Sequence, residues 1–480
     1  SGSHKWAYDS AKRFFREEYP DAKQVTFQLD QNGNVTKLTY ADGYFVDRAY
    51  DQLNRLSTIK LNGAATAAAT FGYDALSRRS SLTFNNGTSQ SYTYQLNDDL
   101  TTLASSFVGA SVTHTYGFNN AHEITSQQMS DSAYMWHPSP AGTVTYQATN
   151  NLNQYPKVGT PVYSYNTNGC LTGNGTWTYG YDTENHLTSA SKSGTSVAYL
   201  YDPFHRQTQK AVTTTSTTKT RYIYSGWQRL ADYNGTTGAL QNRYVYGTSL
   251  DEMLIQVTSA GVLTFFHRNH QGTPIARTSN AGAVSNQYKI GSFGETSSLT
   301  NTTFGYNGQR YDSETGLYYY KRRYYNPTIG RFLQPDPIGY DLKVDGSCGC
   351  VCVTACEGTE ASQLNLYTYV RNTPLNLNDP FGLSPMDGTM GNLSQGVKGS
   401  NIVLSVGITI AIHVWWRMFM LNTCLNVAAY DFIRQKEEIK KRCKKGNMSQ
   451  ADADKAIADA AEKYLQDVQN CYSKAGLPTP

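Results

Sequence analysis

Charge is scarce in this 480-residue chain and evenly divided: 16% of residues are charged, with 41 Lys and Arg against 37 Asp and Glu. A dedicated nucleic-acid binder carries a dominant basic face, so no nucleic-acid partner is expected. Eight cysteines are too few for a disulfide scaffold. Long apolar runs are missing except at 402–421, which Gly407, His413 and Arg417 interrupt. That stretch sits at the lower edge of a membrane span, so a buried helix and membrane insertion both stay open. The first residues lack a basic and apolar leader, and Ser1-Gly2-Ser3 reads as a cloning remnant, so no signal peptide is expected here. What the chain does have is 37 Tyr and 40 Gly among many Thr, Ser and Asn. These are strand and turn formers, which excludes a helical bundle for most of the length.

One pattern repeats. Tyr50-Asp51-Gln52-Leu53-Asn54-Arg55-Leu56 is an aromatic residue, turn-forming residues, then an apolar sixth position. The frame returns at Tyr73, Tyr94, Phe118, Tyr146, Tyr165, Tyr181 and Tyr201, with Leu100, Ile124, Leu152, Leu171 and Leu187 at the sixth position. Arg79 and Gln207 occupy that position in two degenerate copies. Between copies, short alternating runs such as Val25-Thr26-Phe27-Gln28-Leu29 are broken by Asn-Gly or Asp-Gly, for example Asp42-Gly43 and Asn62-Gly63. Each repeat therefore reads as one β-hairpin, and hairpins that cannot bury a face alone must stack into a continuous curved sheet.

The frame resembles the YD repeats of Rhs proteins, of the C component of insecticidal toxin complexes and of teneurins. His267-Arg268-Asn269-His270-Gln271-Gly272-Thr273-Pro274 resembles an Rhs segment, with Asn269 where that family usually has Asp. Gly305-Tyr306-Asn307-Gly308-Gln309-Arg310-Tyr311-Asp312, Tyr324-Tyr325-Asn326-Pro327-Thr328-Ile329-Gly330-Arg331-Phe332 and Asp336-Pro337-Ile338-Gly339 resemble the Rhs-associated core. The implied fold is mainly β: stacked YD-repeat hairpins in a curved or spiral sheet, a partial shell with a C-terminal plug, followed by a small α-helical tail. The expected organisation is a remnant and short helix at 1–19, a repeat shell at 20–303, a core at 304–383 and a variable helical domain at 384–480.

Two Asp-Pro-x-Gly turns, at Asp336 and Asp379, bracket the core signature. Proline and glycine hold each aspartate in a tight bend, and two close carboxylates cannot both ionise cheaply. One then keeps its proton as general acid while the other activates water. The resemblance implies that Asp336 and Asp379 cut the chain once, at Leu383-Ser384, with Arg331 orienting a carboxylate. It also implies a shell whose own C-terminal domain is the cargo, a bacterial effector of interbacterial competition that is secreted or delivered to the cell surface. A secretion-apparatus protein and a cognate immunity protein are its expected partners. A teneurin-like adhesion or display module without cleavage is the alternative.

Residues 340–363 are an insertion carrying Cys348, Cys350, Cys352 and Cys356. Their C-x-C-x-C-x3-C spacing fits a disulfide clip or free thiols better than a zinc site, so no cofactor is expected. His267 and His270 read as structural, since they enter a turn rather than share a helix face. After Leu383 the composition shifts to helix formers, with 12 Lys and Arg against 9 Asp and Glu. Ser449 caps a predicted helix with Asp452 three residues on, and Cys443 and Cys471 are a candidate pair. This tail holds no catalytic cluster, so a membrane-active mode fits it better than an enzymatic one.

Overall fold

The computed structural model describes residues 4–138, 143–297, 299–337, 365–383, 386–387, 449 and scattered positions of 452–469. Twelve strands from Lys5–Tyr8 to Ile124–Met129 form one sheet, and thirteen from Ser164–Tyr165 to Val284–Gln287 form another. In both, neighbours in the sheet are neighbours in sequence. The described residues are thus mainly antiparallel β, as the composition and repeat demand. A four-stranded sheet follows, from Arg310–Asp312 to Arg331–Phe332.

Residues 4–19 form no helix. Lys5–Tyr8 and Phe14–Glu18 are strands, because Tyr8-Asp9 opens another copy of the frame and Phe14 fills its sixth position. The frame assigned to Tyr146 is displaced by three residues. Its turn runs from Asn150 to Gln154, where the Asn150 amide donates to the Gln154 carbonyl at 3.0 Å, so Leu152 lies at an exposed tip.

The turn explains the frame. Asp51 Oδ1 accepts the amides of Leu53 and Arg55, Asp51 Oδ2 accepts Arg55 Nε, and Asn54 adopts φ +64°. A first-position carboxylate or amide therefore satisfies the donors its own bend exposes. The one left-handed residue produces a bulge, recorded as a register shift just before Tyr50, Tyr73, Phe118, Tyr181 and Tyr201. At the opposite ends, Asn62 and Gly63 both have positive φ, in a tight turn closed by the Ala64 amide on the Leu61 carbonyl at 2.9 Å, within the longer loop that leads to Ala69–Tyr73.

The tyrosine closes the repeat. Tyr73, Tyr181 and Tyr201 donate their hydroxyls to the carbonyls of Leu56, Leu171 and Leu187, each the sixth residue of the preceding frame. Tyr94 and Tyr224 do the same to Arg79 and Gln207, so the two degenerate copies keep the interaction because it uses backbone. Both polar side chains are nevertheless buried. Arg79 pairs with Glu252, which Arg268 also contacts at 2.7 Å. Burial alone would raise the Glu252 carboxyl, but those two guanidiniums outweigh it and hold it at about 2.

Two compact units divide the described residues. The first contains His4–Lys5, Arg16–Thr26 and all described residues from Lys37 to Asp387. Within it the two long sheets meet: Tyr19 Oη donates to the Tyr224 carbonyl at 2.6 Å and Tyr40 Oη to that of Tyr244 at 2.7 Å. The second includes Trp6–Phe15 and Phe27–Thr36, where Phe14 and Phe27 pack 5.3 Å apart and Arg13 reaches the Asp30 carbonyl at 2.7 Å. It also includes the described C-terminal residues, of which Asp452, Lys455, Ala456, Asp459, Lys463, Gln466 and Gln469 are helical. Ser449 Oγ accepts the Asp452 amide at 3.1 Å, the expected cap. Among the described residues no helix is long and apolar enough to cross a membrane, and 402–421, Cys443 and Cys471 lie outside them.

Candidate active site

The core segment is built on tyrosine. Leu317–Tyr320 and Arg323–Asn326 are buried at every residue, and Tyr306, Tyr318, Tyr320, Tyr325, Phe332 and Tyr369 form one cluster. Leu317, Tyr319, Tyr324 and Leu333 pack instead on Leu171, Trp177, Tyr179, Leu187 and Val197 of the second long sheet. Two polar tips there find partners: Tyr319 Oη accepts the Gln207 amide at 3.0 Å, and Tyr199 Oη donates to Asp312 at 2.8 Å.

This packing brings Asp336 and Asp379 together through an arginine. Arg323 Nη2 lies 2.8 Å from Asp336 Oδ2 and 3.2 Å from Asp379 Oδ2, so the two carboxylate oxygens are at most about 6 Å apart. The same guanidinium donates from Nε to the Gly382 carbonyl at 2.6 Å and from Nη1 to the Leu366 carbonyl at 2.9 Å. Its plane covers Phe332, with Cζ 3.6 Å from the ring centre. Burial pulls the Arg323 guanidinium below its ordinary range, and the Asp336 and Asp379 carboxylates pull it back. The Asp336 amide donates to the Leu366 carbonyl at 3.0 Å, which ties the two arms of the site on either side of residues 338–364.

Asp379-Pro380-Phe381-Gly382-Leu383 repeats the geometry of a YD turn. Asp379 Oδ1 accepts the amide four residues on, that of Leu383, at 2.9 Å, as Asp51 accepts that of Arg55. Gly382, three residues on, has φ +68°, like Asn54. Glycine is required there on a second count, since a Cβ would stand 2.6 Å from the Tyr320 carbonyl. The Arg322 amide donates to the Phe381 carbonyl at 3.2 Å, so this turn wraps the hairpin that presents Arg323.

Arg331 is elsewhere. Its Nη1 donates to Asn372 Oδ1 at 2.8 Å and to the Gly330 carbonyl, and its Nη2 to Tyr155 Oη at 3.4 Å. Arg323 takes the place beside both aspartates that the sequence reading gave to Arg331. Its signal was faint: the third basic residue in Lys321-Arg322-Arg323, within an otherwise tyrosine-filled stretch. Leu383 is in place at the turn, whereas Ser384, Cys348, Cys350, Cys352 and Cys356 lie outside the described residues.

His267 and His270 go to separate partners, Nε2 of His267 to Thr278 Oγ1 at 3.1 Å and Nδ1 of His270 to Tyr116 Oη at 3.1 Å. Burial lowers both, His267 to about 3 and His270 to about 4, so they are neutral hydrogen-bonding groups. Asn269 accepts the Gln271 and Thr273 amides, the turn-closing work that Asp does in other repeats.

A family model described as Teneurin YD-shell matches residues 46–375. The chain belongs to that family. It is an Rhs/YD-repeat protein. It is 28% identical over 416 residues to the tRNA3(Ser)-specific nuclease WapA of Bacillus spizizenii, covering 79% of this chain and 16% of that protein. With toxin subunit YenC2 of Yersinia entomophaga it shares 45% identity over 85 residues, 18% of this chain and 7% of that one. With the probable deoxyribonuclease RhsA of Dickeya dadantii it shares 26% over 420 residues, 82% and 26% of the two chains. The chain thus spans between about a fourteenth and a quarter of these relatives. Among solved structures, a Photorhabdus luminescens Tc holotoxin pore aligns with TM-score 0.43 and 17% identity, over 85% of this chain and 22% of that one.

Proposed function

We propose that this chain is the C-terminal part of a toxin carrier, in which the YD-repeat sheets and core enclose residues 384–480 as cargo and free them by one aspartyl self-cleavage at Leu383-Ser384. The observation that carries this reading is the double hold on the Asp379 turn. Arg323 binds both carboxylates while Asp379 takes the amide of Leu383, the residue whose following bond is to be cut. With the dyad next to its own chain, proximity supplies much of the rate, and no turnover is required. One carboxyl retains its proton for the leaving amine and the other activates water, a division that two neighbouring carboxylates impose on each other. The relatives named as nucleases and toxin subunits support a cargo role and delivery outside the producing cell.

The test is the intact mass of freshly purified full chain beside Asp379→Asn and Asp336→Asn. Two fragments meeting at Leu383-Ser384 in the parent, and a single full-length mass in both variants, are expected. A single full-length mass in the parent would sink the cleavage reading and leave a display module.

A further inference from the structure

We propose that Glu184, His186 and His205 form a binding site for a borderline divalent cation such as Zn2+, placed where the turns of two successive repeats meet. The three residues can present one ligand atom each, all within 4.8 Å of one another. Repeat geometry makes the site. The fifth residue of one turn lies beside the fourth of the next: Arg55 Nη1 reaches Ser77 Oγ at 3.1 Å and Arg78 Nη1 reaches Asp98 Oδ1 at 2.8 Å. At the Tyr181 and Tyr201 repeats both positions are histidine, and His186 Nε2 faces His205 Nδ1 at 2.7 Å.

The proton arrangement favours a cation. Asp182 Oδ2 lies 2.9 Å from His186 Nδ1 and, being a carboxylate, accepts its proton. His186 Nε2 therefore holds a lone pair, oriented by a carboxylate as metal-bound histidines usually are. His205 Nδ1 donates into that lone pair when no cation is present. On binding, its proton moves to its own Nε2, and two lone pairs then converge on the metal. Glu184 Oε2, on an exposed side chain 3.7 Å from His205 Nδ1, supplies the third ligand and leaves a position for water. Zinc–nitrogen bonds of about 2.0–2.1 Å put tetrahedral ligand nitrogens about 3.3 Å apart, so the rings must part by roughly 0.6 Å. His205 is partly exposed and free to give that much. The positive field of Arg322 at His205 is opposed by Glu184 and Asp202. A bound cation would staple adjacent repeats across their turns.

Co2+ titration of the full chain, followed by visible absorption, tests this and separates nitrogen and oxygen ligands from thiolates, which add intense near-ultraviolet charge-transfer bands. Beside the parent stand His205→Asn and Asp182→Asn. Both variants keep the turn, because Asn54 and Asn185 hold the left-handed position of His205 while Asn119, Asn150 and Asn166 open turns as Asp182 does. Expected are weak visible bands without thiolate charge transfer in the parent, their loss in His205→Asn, and about 10- to 100-fold weaker binding in Asp182→Asn. Equal binding by all three chains, or thiolate bands alone, overturns the site.

Discussion

The Asp51–Arg55 turn and the Asp379–Leu383 turn are the same device in two settings. Each closes on a carboxylate that accepts the amide four residues on, and each has one left-handed residue three positions on. In the repeat, the fifth residue is Arg55, whose Nε returns to Asp51 Oδ2 at 2.7 Å, so the turn is self-sufficient at the surface. In the core the fifth residue is Leu383, and Asp379 is 2% exposed. Where the repeat finds its guanidinium within its own turn, the core brings Arg323 from 56 residues away, and the nearby Lys321 adds its charge. One local motif is thus structural where it neutralises itself and chemically interesting where it depends on a remote cation shared with a second acid.

Arg323→Met breaks the comparison most severely. It removes from a largely buried site the guanidinium that Asp336 and Asp379 share, and about 3–5 kcal/mol of stability should disappear, read by urea denaturation. The corresponding Arg55→Met, at a surface turn, should cost at most about 1 kcal/mol in the same assay. Equal losses would mean that burial does not separate the two turns.

Acid sharpens the same contrast. The Glu252 carboxyl is depressed in the fold to about 2 from its ordinary value of 4.5. Its contribution is therefore present above pH about 4.5 and lost as pH falls through about 2, amounting to about 3 kcal/mol. A Glu252→Gln chain should show a correspondingly smaller fall in stability between pH 5 and 2, measured by thermal unfolding. An identical pH profile would deny the buried Arg79–Glu252–Arg268 group this role.

Smaller effects probe the repeat alone. Tyr181→Phe removes one hydroxyl-to-carbonyl bond and should cost about 0.5–1.5 kcal/mol by chemical denaturation. Leu96→Ser, at a fully exposed turn tip, should stay within about 0.5 kcal/mol.

The repeat was legible because its information is local: aromatic, turn former and buried sixth residue lie within seven positions. The copy at Tyr8 is complete, with Asp9, Arg13 and Phe14 in their places, and was legible but passed over; the one near Tyr146 is degenerate, its turn opening on Asn150, because side chains vary while the backbone interactions persist. Arg79 and Gln207 looked like defects for the same reason, since the tyrosine of the next repeat reads their carbonyls rather than their side chains. Asp336 and Asp379 could be singled out because proline and glycine mark their turns. Arg323 could not, because nothing near it in sequence distinguishes it from Arg322 or Arg331.

Sequence by itself determined the strand-and-turn alphabet, the antiparallel order of neighbours and the two marked aspartates, all of which follow from contacts a few residues apart. Tertiary structure alone decided which arginine serves those aspartates and which histidines face one another across adjacent turns. Those choices depend on distances closed by packing between residues 13 to 56 apart in the core and 19 apart in the repeats, where chain proximity imposes nothing.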